Sequence, residues 1–320
     1  MQRLSNILGI AMAGCLCSIG VALAPAGVPS AGRQDSSPKS EQRAAPEVQP
    51  PSEAELHTRT DQLIANQHDD DKANEQYEHI ERQIDRTGGA TPSILVEKTY
   101  RIVPTGSGTL KILLKNDGKT TDPEEYRKQL ESWKEVLELT LRPDDPRAKN
   151  ALAKFQKRNR DRAELVDAAK DAFREKWVGR EYRNGYDCDV VQLEPNPQYH
   201  PHSMLQEAVT HVRAKVWVDH NLNQLVHAEA EVIRDISFGG GILGKVYKGG
   251  VFSFDQGPVA PGIWLALRYQ YDFSGRKFLF PFEEHQVVES SHYRRVGPPK
   301  EALALVQNEL ASGKTMMSDP

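Results

Sequence analysis

Several patterns in the chain have the residue types to do chemistry. Gly239 to Val246, GGGILGKV, comes within one letter of the phosphate-loop pattern G-x-x-x-x-G-K-[ST]. In such a loop backbone N–H groups cradle the phosphates, the lysine neutralises them and the final hydroxyl binds magnesium. Val246 stands where the hydroxyl belongs. The following VYKGGVFSFD alternates like a strand, whereas a phosphate loop feeds a helix whose positive end completes the site. The glycines therefore read as a sharp bend between two strands. His200 and His202 form an H-x-H pair, with His211 nine residues on. Three imidazoles can hold zinc, and a metal-dependent hydrolase built on them is one rival reading. Pro201 puts the pair in a loop, however, and no acidic or cysteine ligand has a diagnostic spacing. Ser290 and Ser291 beside His292 are neighbours in sequence, which does not make a triad. Glu283 and Glu284 point to opposite faces of a strand. His285, in EEHQ, lacks the H-E-x-x-H pattern. HDDDK at 68–72 lacks the glycine and distal glutamate of a calcium loop and reads as a polar break. No catalytic residue, metal or cofactor is assigned, and the protein is expected not to be an enzyme.

The whole chain narrows the partners. It has 320 residues, 27% charged and 38% hydrophobic, with a formal charge of −4. There is no basic excess to attract nucleic acid. Arg3, the apolar run LSNILGIAMAGCLCSIGVALA and small residues at Ala24 and Ala26 make a secretory signal over 1–26. The protein is expected in the periplasm. Met12-Ala13-Gly14-Cys15 also resembles a lipobox without its usual leucine. Lipidation of Cys15 would make the protein an outer-membrane lipoprotein, and only then is membrane association expected. Cys188 is the one certain mature cysteine and reads as a buried thiol. Residues 27–52, rich in Pro, Ser, Gln and charge, read as a disordered tether, and 313–320 as a disordered tail.

The elements between them are largely strands. Residues 53–68 have Leu56, Leu63 and Ile64 on one helix face. EQYEHIERQIDR is ambiguous, with Tyr77, Ile80 and Ile84 at helical spacing. SILVEKTYRIV and TLKILLK alternate as strands, and NDG ends the second with a turn. Asp122-Pro123-Glu124-Glu125 opens a helix with a cap and a capping box, and Tyr126, Leu130, Trp133, Leu137 and Leu141 stripe it. A second helical tract spans about 146–177. From Gly179 onward the pattern is a half-buried antiparallel meander, beginning with a hairpin at Asn184-Gly185. Val226, Ala228, Ala230, Val232, Ile236 and Phe238 share one face, broken by Arg234. Ile263, Leu265, Leu267, Tyr269, Tyr271 and Phe273 share another, followed by a turn at Ser274-Gly275-Arg276. Residues 299–311 close with an amphipathic helix. The fold class is α+β: a curved antiparallel sheet or half-open β-barrel covered by helices, as one domain over 53–312.

The stretch VWVDHNLNQLVHAEAEVIRDISFGGGILGKVYKGGVFSFDQGPVAPGIWLALRYQYDFSGRKFLF resembles a group of exported bacterial proteins. They are related to the periplasmic lipoprotein carrier and outer-membrane lipoprotein-sorting family. The V-W-V-D strand (Val216 to Asp219), the glycine corner before K-G-x-F-x-F, the Trp264-Leu265 strand and the Tyr293-Arg294 ending carry the likeness, which covers about 55–296. It implies a half-open barrel around helices, with an apolar cavity for acyl chains. It also implies that EQYEHIERQIDR is the first strand. The chain departs from the simple carrier in its longer helical insert at about 123–177. No lipoprotein-binding residue carries over by motif. The expected function is non-catalytic binding of a lipid or acylated protein. The expected lining is Val226, Ala228, Ala230, Phe252, Phe254, Ile263, Leu265, Leu267, Phe278 and Phe280. The alternative is a structural or interaction protein of the cell envelope, with a filled core, no ligand and an envelope protein as partner.

Overall fold

The computed structural model describes residues 49–312. The signal segment, Cys15, most of the tether and the tail lie outside the described residues. The first helix, α1 (Glu53–Asn74), starts at Ser52, whose side chain caps Glu55 N while the Glu55 carboxylate returns to Ser52 N. HDDDK is its last turns and not a break. Four strands follow: β1 (Tyr77–Arg86), β2 (Ile94–Pro104), β3 (Thr109–Asn116) and β4 (Lys119–Thr120). EQYEHIERQIDR is thus strand, as the resemblance implied and its helical spacing did not. Then come α2 (Pro123–Thr140) and α3 (Pro146–Ala172). Asp122 caps α2 by accepting from Glu124 N and Glu125 N. The second helical tract ends at Ala172, earlier than its spacing predicted. Phe173 and Trp177 belong to β5 (Phe173–Arg183), which pairs with β6 (Tyr186–Pro195).

The remainder is α4 (Met204–Val209), β7 (Val212–Asp219), β8 (Leu225–Val232), β9 (Ile236–Phe238), β10 (Gly244–Val246), β11 (Val251–Ala260), β12 (Ile263–Lys277), β13 (Phe280–Arg295) and α5 (Pro299–Ser312). One open antiparallel sheet runs β4-β3-β2-β1-β13-β12-β11-β8-β7-β6-β5, with β10 joining β9 to the far end of β12. Its curl is visible between β6 and β12, which three strands separate. A flat sheet would hold them about 19 Å apart. Yet the rings of Tyr186 and Trp264, at the starts of those strands, have centroids 4.8 Å apart.

Helices cover the sheet in two groups. Helices α2 and α5 pack over β2 and β3, burying Val103, Ile112, Tyr126, Leu130, Trp133, Leu137 and Val306. Arg101 ties this end together by reaching Glu78, Glu309 and the Tyr126 hydroxyl. Helices α1, α3 and α4 lie over the other half, where the larger core gathers Val232, Phe238, Phe252, Phe254, Tyr269, Tyr271 and Phe273. Cys188 is fully buried in a third cluster with Val190, Trp217, Val226 and Trp264.

Local packing explains the glycine-rich stretch. Gly239, Gly240 and Gly241 all have positive φ, at 57°, 63° and 86°, so the chain reverses between β9 and β10 through left-handed residues. Strands stand on both sides and no helix follows. Ser274-Gly275-Arg276 is not a turn. The pairing of β10 extends β12 to Lys277, and a Cβ on Gly275 would collide with the Lys245 carbonyl oxygen. The chain turns at Phe278 and Leu279 instead.

Candidate ligand cleft

Between α1, α3 and the strands β5 to β8 the core is not filled. A partly open cavity of about 190 Å³ lies there. Apolar cavities of roughly 150 Å³ already stay dry and accept benzene-sized guests. Its floor follows strand alternation: Val191 and Leu193 from β6, then Val212, Ala214, Val216 and Val218 from β7. Leu225, Ala228 and Ala230 of β8, Ile236 of β9 and Phe252 of β11 continue it. The roof is Thr60, Leu63, Ile64 and Gln67 of α1 with Val166 and Ala169 of α3, and Phe173 and Glu175 of β5 line one side. Four of these residues are alanines, two of which, Ala214 and Ala230, are cross-strand partners. Small side chains facing each other leave room that larger ones would close.

Polar contacts at its two ends hold the roof. Near the start of α1, Arg59 Nη1 donates to Asp189 Oδ2 at 2.8 Å. Burial raises the Asp189 carboxyl, but hydrogen bonds from His220 and Trp177 and the charge of Arg180 hold it below its ordinary value. Near the end of α1, Asp70 is only 2% exposed. It accepts from Trp264 N at 2.8 Å and from Gln256 Nε2 at 3.1 Å. Burial pushes its carboxyl up to about 7 against the hydrogen bond from Trp264 N. Between these ends Asn66 donates to the carbonyls of Leu222 and Asn223.

Three of the ten residues expected to line a cavity do so: Ala228, Ala230 and Phe252. Phe254 is fully buried in the adjoining core. Val226 is turned into the cluster around Trp217, because Trp217 pairs with His227 while Val218 pairs with Leu225, leaving Val226 as a bulge. A second bulge, Asp255 opposite Arg268 but Gln256 opposite Ala266, leaves Leu267 unpaired and 39% exposed. It also slips the face of β12, so Ala266 joins the main core where Leu265 was expected. Leu265 borders a much smaller polar pocket with Asp70, His79 and Glu81, and Ile263, at the start of β12, does not line the cleft. Phe278 and Phe280 sit at the β12–β13 turn, 50% and 75% exposed, beside Ile242, Leu243 and Leu279. They form an apolar tip outside the cleft.

Sequence reasoning missed most of the roof. Leu63 and Ile64 were legible as one helix face, but nothing marked what they faced. Of the three histidines, His200 and His202 are exposed in the loop before α4 and His211 Nδ1 donates to the Asp235 carbonyl. Among the described residues no group of three or more His, Cys, Asp or Glu is placed to hold a metal, and no helix is long and apolar enough to cross a membrane.

No family model and no curated protein matches the chain. Solved structures do. A DUF1329 family protein from Desulfovibrio piger is 12% identical, with 75% of this chain and 92% of that one covered at a TM-score of 0.29. A putative outer membrane lipoprotein-sorting protein domain from Vibrio parahaemolyticus is 8% identical, covering 78% and 99% at 0.32. A LolA superfamily protein from Nitrosomonas europaea is 11% identical, covering 73% and 94% at 0.29.

Proposed function

We propose that the protein is an exported, non-catalytic binder of an apolar ligand, a lipid or the acyl chain of an acylated protein, held between α1 and the sheet. One observation carries this reading: a cavity of about 190 Å³ whose lining is apolar except for Thr60, Gln67 and Glu175. Water gains little there, whereas each methylene moved out of water contributes about 0.8 kcal/mol. An acyl chain therefore needs no polar anchor to bind. The absence of a catalytic motif in the sequence fits a binding protein better than an enzyme. Function in the periplasm follows from the amino-terminal signal pattern.

Native mass spectrometry of the purified protein tests the reading, together with thermal melts of delipidated protein in phospholipid or acylated peptide. Co-purified lipid and a ligand-dependent rise in melting temperature are expected. Protein that carries no lipid and gains no stability from either ligand refutes it.

The exposed apolar tip, Ile242, Leu243, Phe278, Leu279 and Phe280, favours a second reading, an interaction protein of the envelope. Crosslinking at the tip that captures the same envelope protein with and without a filled cleft would favour that reading over the first.

A further inference from the structure

The cleft has one ionisable side chain in its lining, and it is an acid. Glu175 lies on β5, the edge strand, where the sheet ends beneath α1. The Thr60 hydroxyl donates to its carboxylate, 3.0 Å from each oxygen. A carboxylate has about four lone-pair positions, and one shared proton leaves most of them unused. Among the described residues no cation lies within ion-pair distance of Glu175, although lysines and arginines pair with acids at many other places. The charges that reach it are His57, which favours its ionised form, and Asp61, which opposes it. Asp61 is itself paired with Lys170 at 3.3 Å. Burial raises the Glu175 carboxyl above its ordinary value, so the group is held partly out of water with no ion-pair partner in contact.

We propose that the cleft selects amphiphiles by their polar end. It takes those whose head is a cation or an N–H donor, and it rejects free fatty-acid anions. The proposal rests on the reading of the cavity as a site for an apolar chain. With the chain against Leu63, Ile64, Val216 and Ala230, the head lies at the side lined by Glu175. An ammonium or amide N–H there gains a charge-assisted hydrogen bond to the unused oxygen positions. A carboxylate head puts a second negative charge beside the first, in a setting that screens it less than bulk water does.

The test is displacement of a neutral fluorescent probe, N-phenyl-1-naphthylamine, from the delipidated protein at pH 7.5. Dodecylamine, dodecanol and dodecanoate are titrated below their micelle thresholds. Dodecylamine should bind at least ten-fold more tightly than dodecanoate, with dodecanol between them. Glu175→Gln should narrow that gap to under three-fold, mainly by improving dodecanoate. Glu164→Gln, on an exposed face of α3, changes the net charge equally and should leave the gap intact. Equal affinity for amine and carboxylate in the parent protein overturns the proposal, as does a gap that survives Glu175→Gln or one that Glu164→Gln narrows as much. If the probe does not bind, the reading of the cavity itself fails.

Discussion

Replacing Ala230 by leucine should stabilise the protein, and the sign of that change decides whether the cleft is a void. Ala230 lies in the middle of β8, opposite Ala214 on one side and Phe252 on the other. All three line the cleft. Leucine adds three carbons, worth about 2.4 kcal/mol if they enter empty apolar space. Ordering the leucine side chain costs roughly 0.5–1 kcal/mol. The net gain is about 1.5 kcal/mol, which for a domain of this size raises the melting temperature by roughly 3–6 °C. If the alanine pair is already packed, the same carbons meet occupied space, and overpacking costs about 1–3 kcal/mol. The two cases differ in sign. The assay is a thermal melt of delipidated parent and variant at matched concentration, followed by probe displacement. The variant should melt higher and bind an acyl ligand at least ten-fold more weakly. A variant that melts lower refutes the void, and one that melts higher but binds as well refutes the assignment of the cleft as the site.

Three further expectations use the same geometry. Phe252→Ala should cost about 3–4 kcal/mol in urea melts, whereas Phe280→Ser, at the exposed tip, should cost under about 0.5 kcal/mol; equal costs would mean that the tip is packed. Because the folded state holds the Asp70 proton up to a pH of about 7, against 3.8 ordinarily, that group's contribution is full below pH 4 and falls as pH rises to 7. Asp70→Asn should remove this dependence and melt higher than the parent at pH 8, since Gln256 Oε1, unpartnered, can turn to accept from the new amide; a parent whose urea midpoint is flat from pH 5 to 8 refutes it. Burial pushes the Cys188 thiol up to about 12, so native protein should resist iodoacetamide at pH 8 and react fully in denaturant, as read by intact mass.

The sheet and its class were legible because alternation survives in most strands, and the capping residues placed α2 within a residue. What hid part of the cleft was a break in the period of two. The bulges at Val226 and Leu267 each insert one residue, and one residue reverses every side chain beyond it. An unbroken alternation in the sequence, Ile263 to Phe273, therefore describes two faces and not one. The tip was misread for a different reason. A strand distant in sequence, β10, lengthens β12 past Gly275, and nothing local in KFLF shows that its aromatics lie beyond the last covered pair. Of the roof little beyond the Leu63–Ile64 face was legible: α1 continues through HDDDK because Asp70 and Asp71 find partners on β12 and α3, and such partners are tertiary facts.

Those partners also account for the existence of a void. A helix that docks only by its apolar face must press that face into the sheet, and any gap costs dispersion along its whole length. Helix α1 is held otherwise. Arg59 reaches Asp189 at one end, Asp70 reaches Trp264 and Gln256 at the other, and Asn66 holds the β7–β8 turn between them. Directional bonds fix the height of the helix, so Leu63 and Ile64 are held over the sheet and need not sink into it. The opposing floor is built from alanine and valine, which cannot reach up to meet them. Cutting the polar contacts should therefore close the cleft rather than open it. Arg59→Met with Asp70→Ala would let α1 settle onto β7 and β8, and the probe that binds the parent should lose its site while the far-ultraviolet spectrum stays the same. Retained probe affinity in that double variant would show that packing, and not the polar contacts, sets the height of the roof.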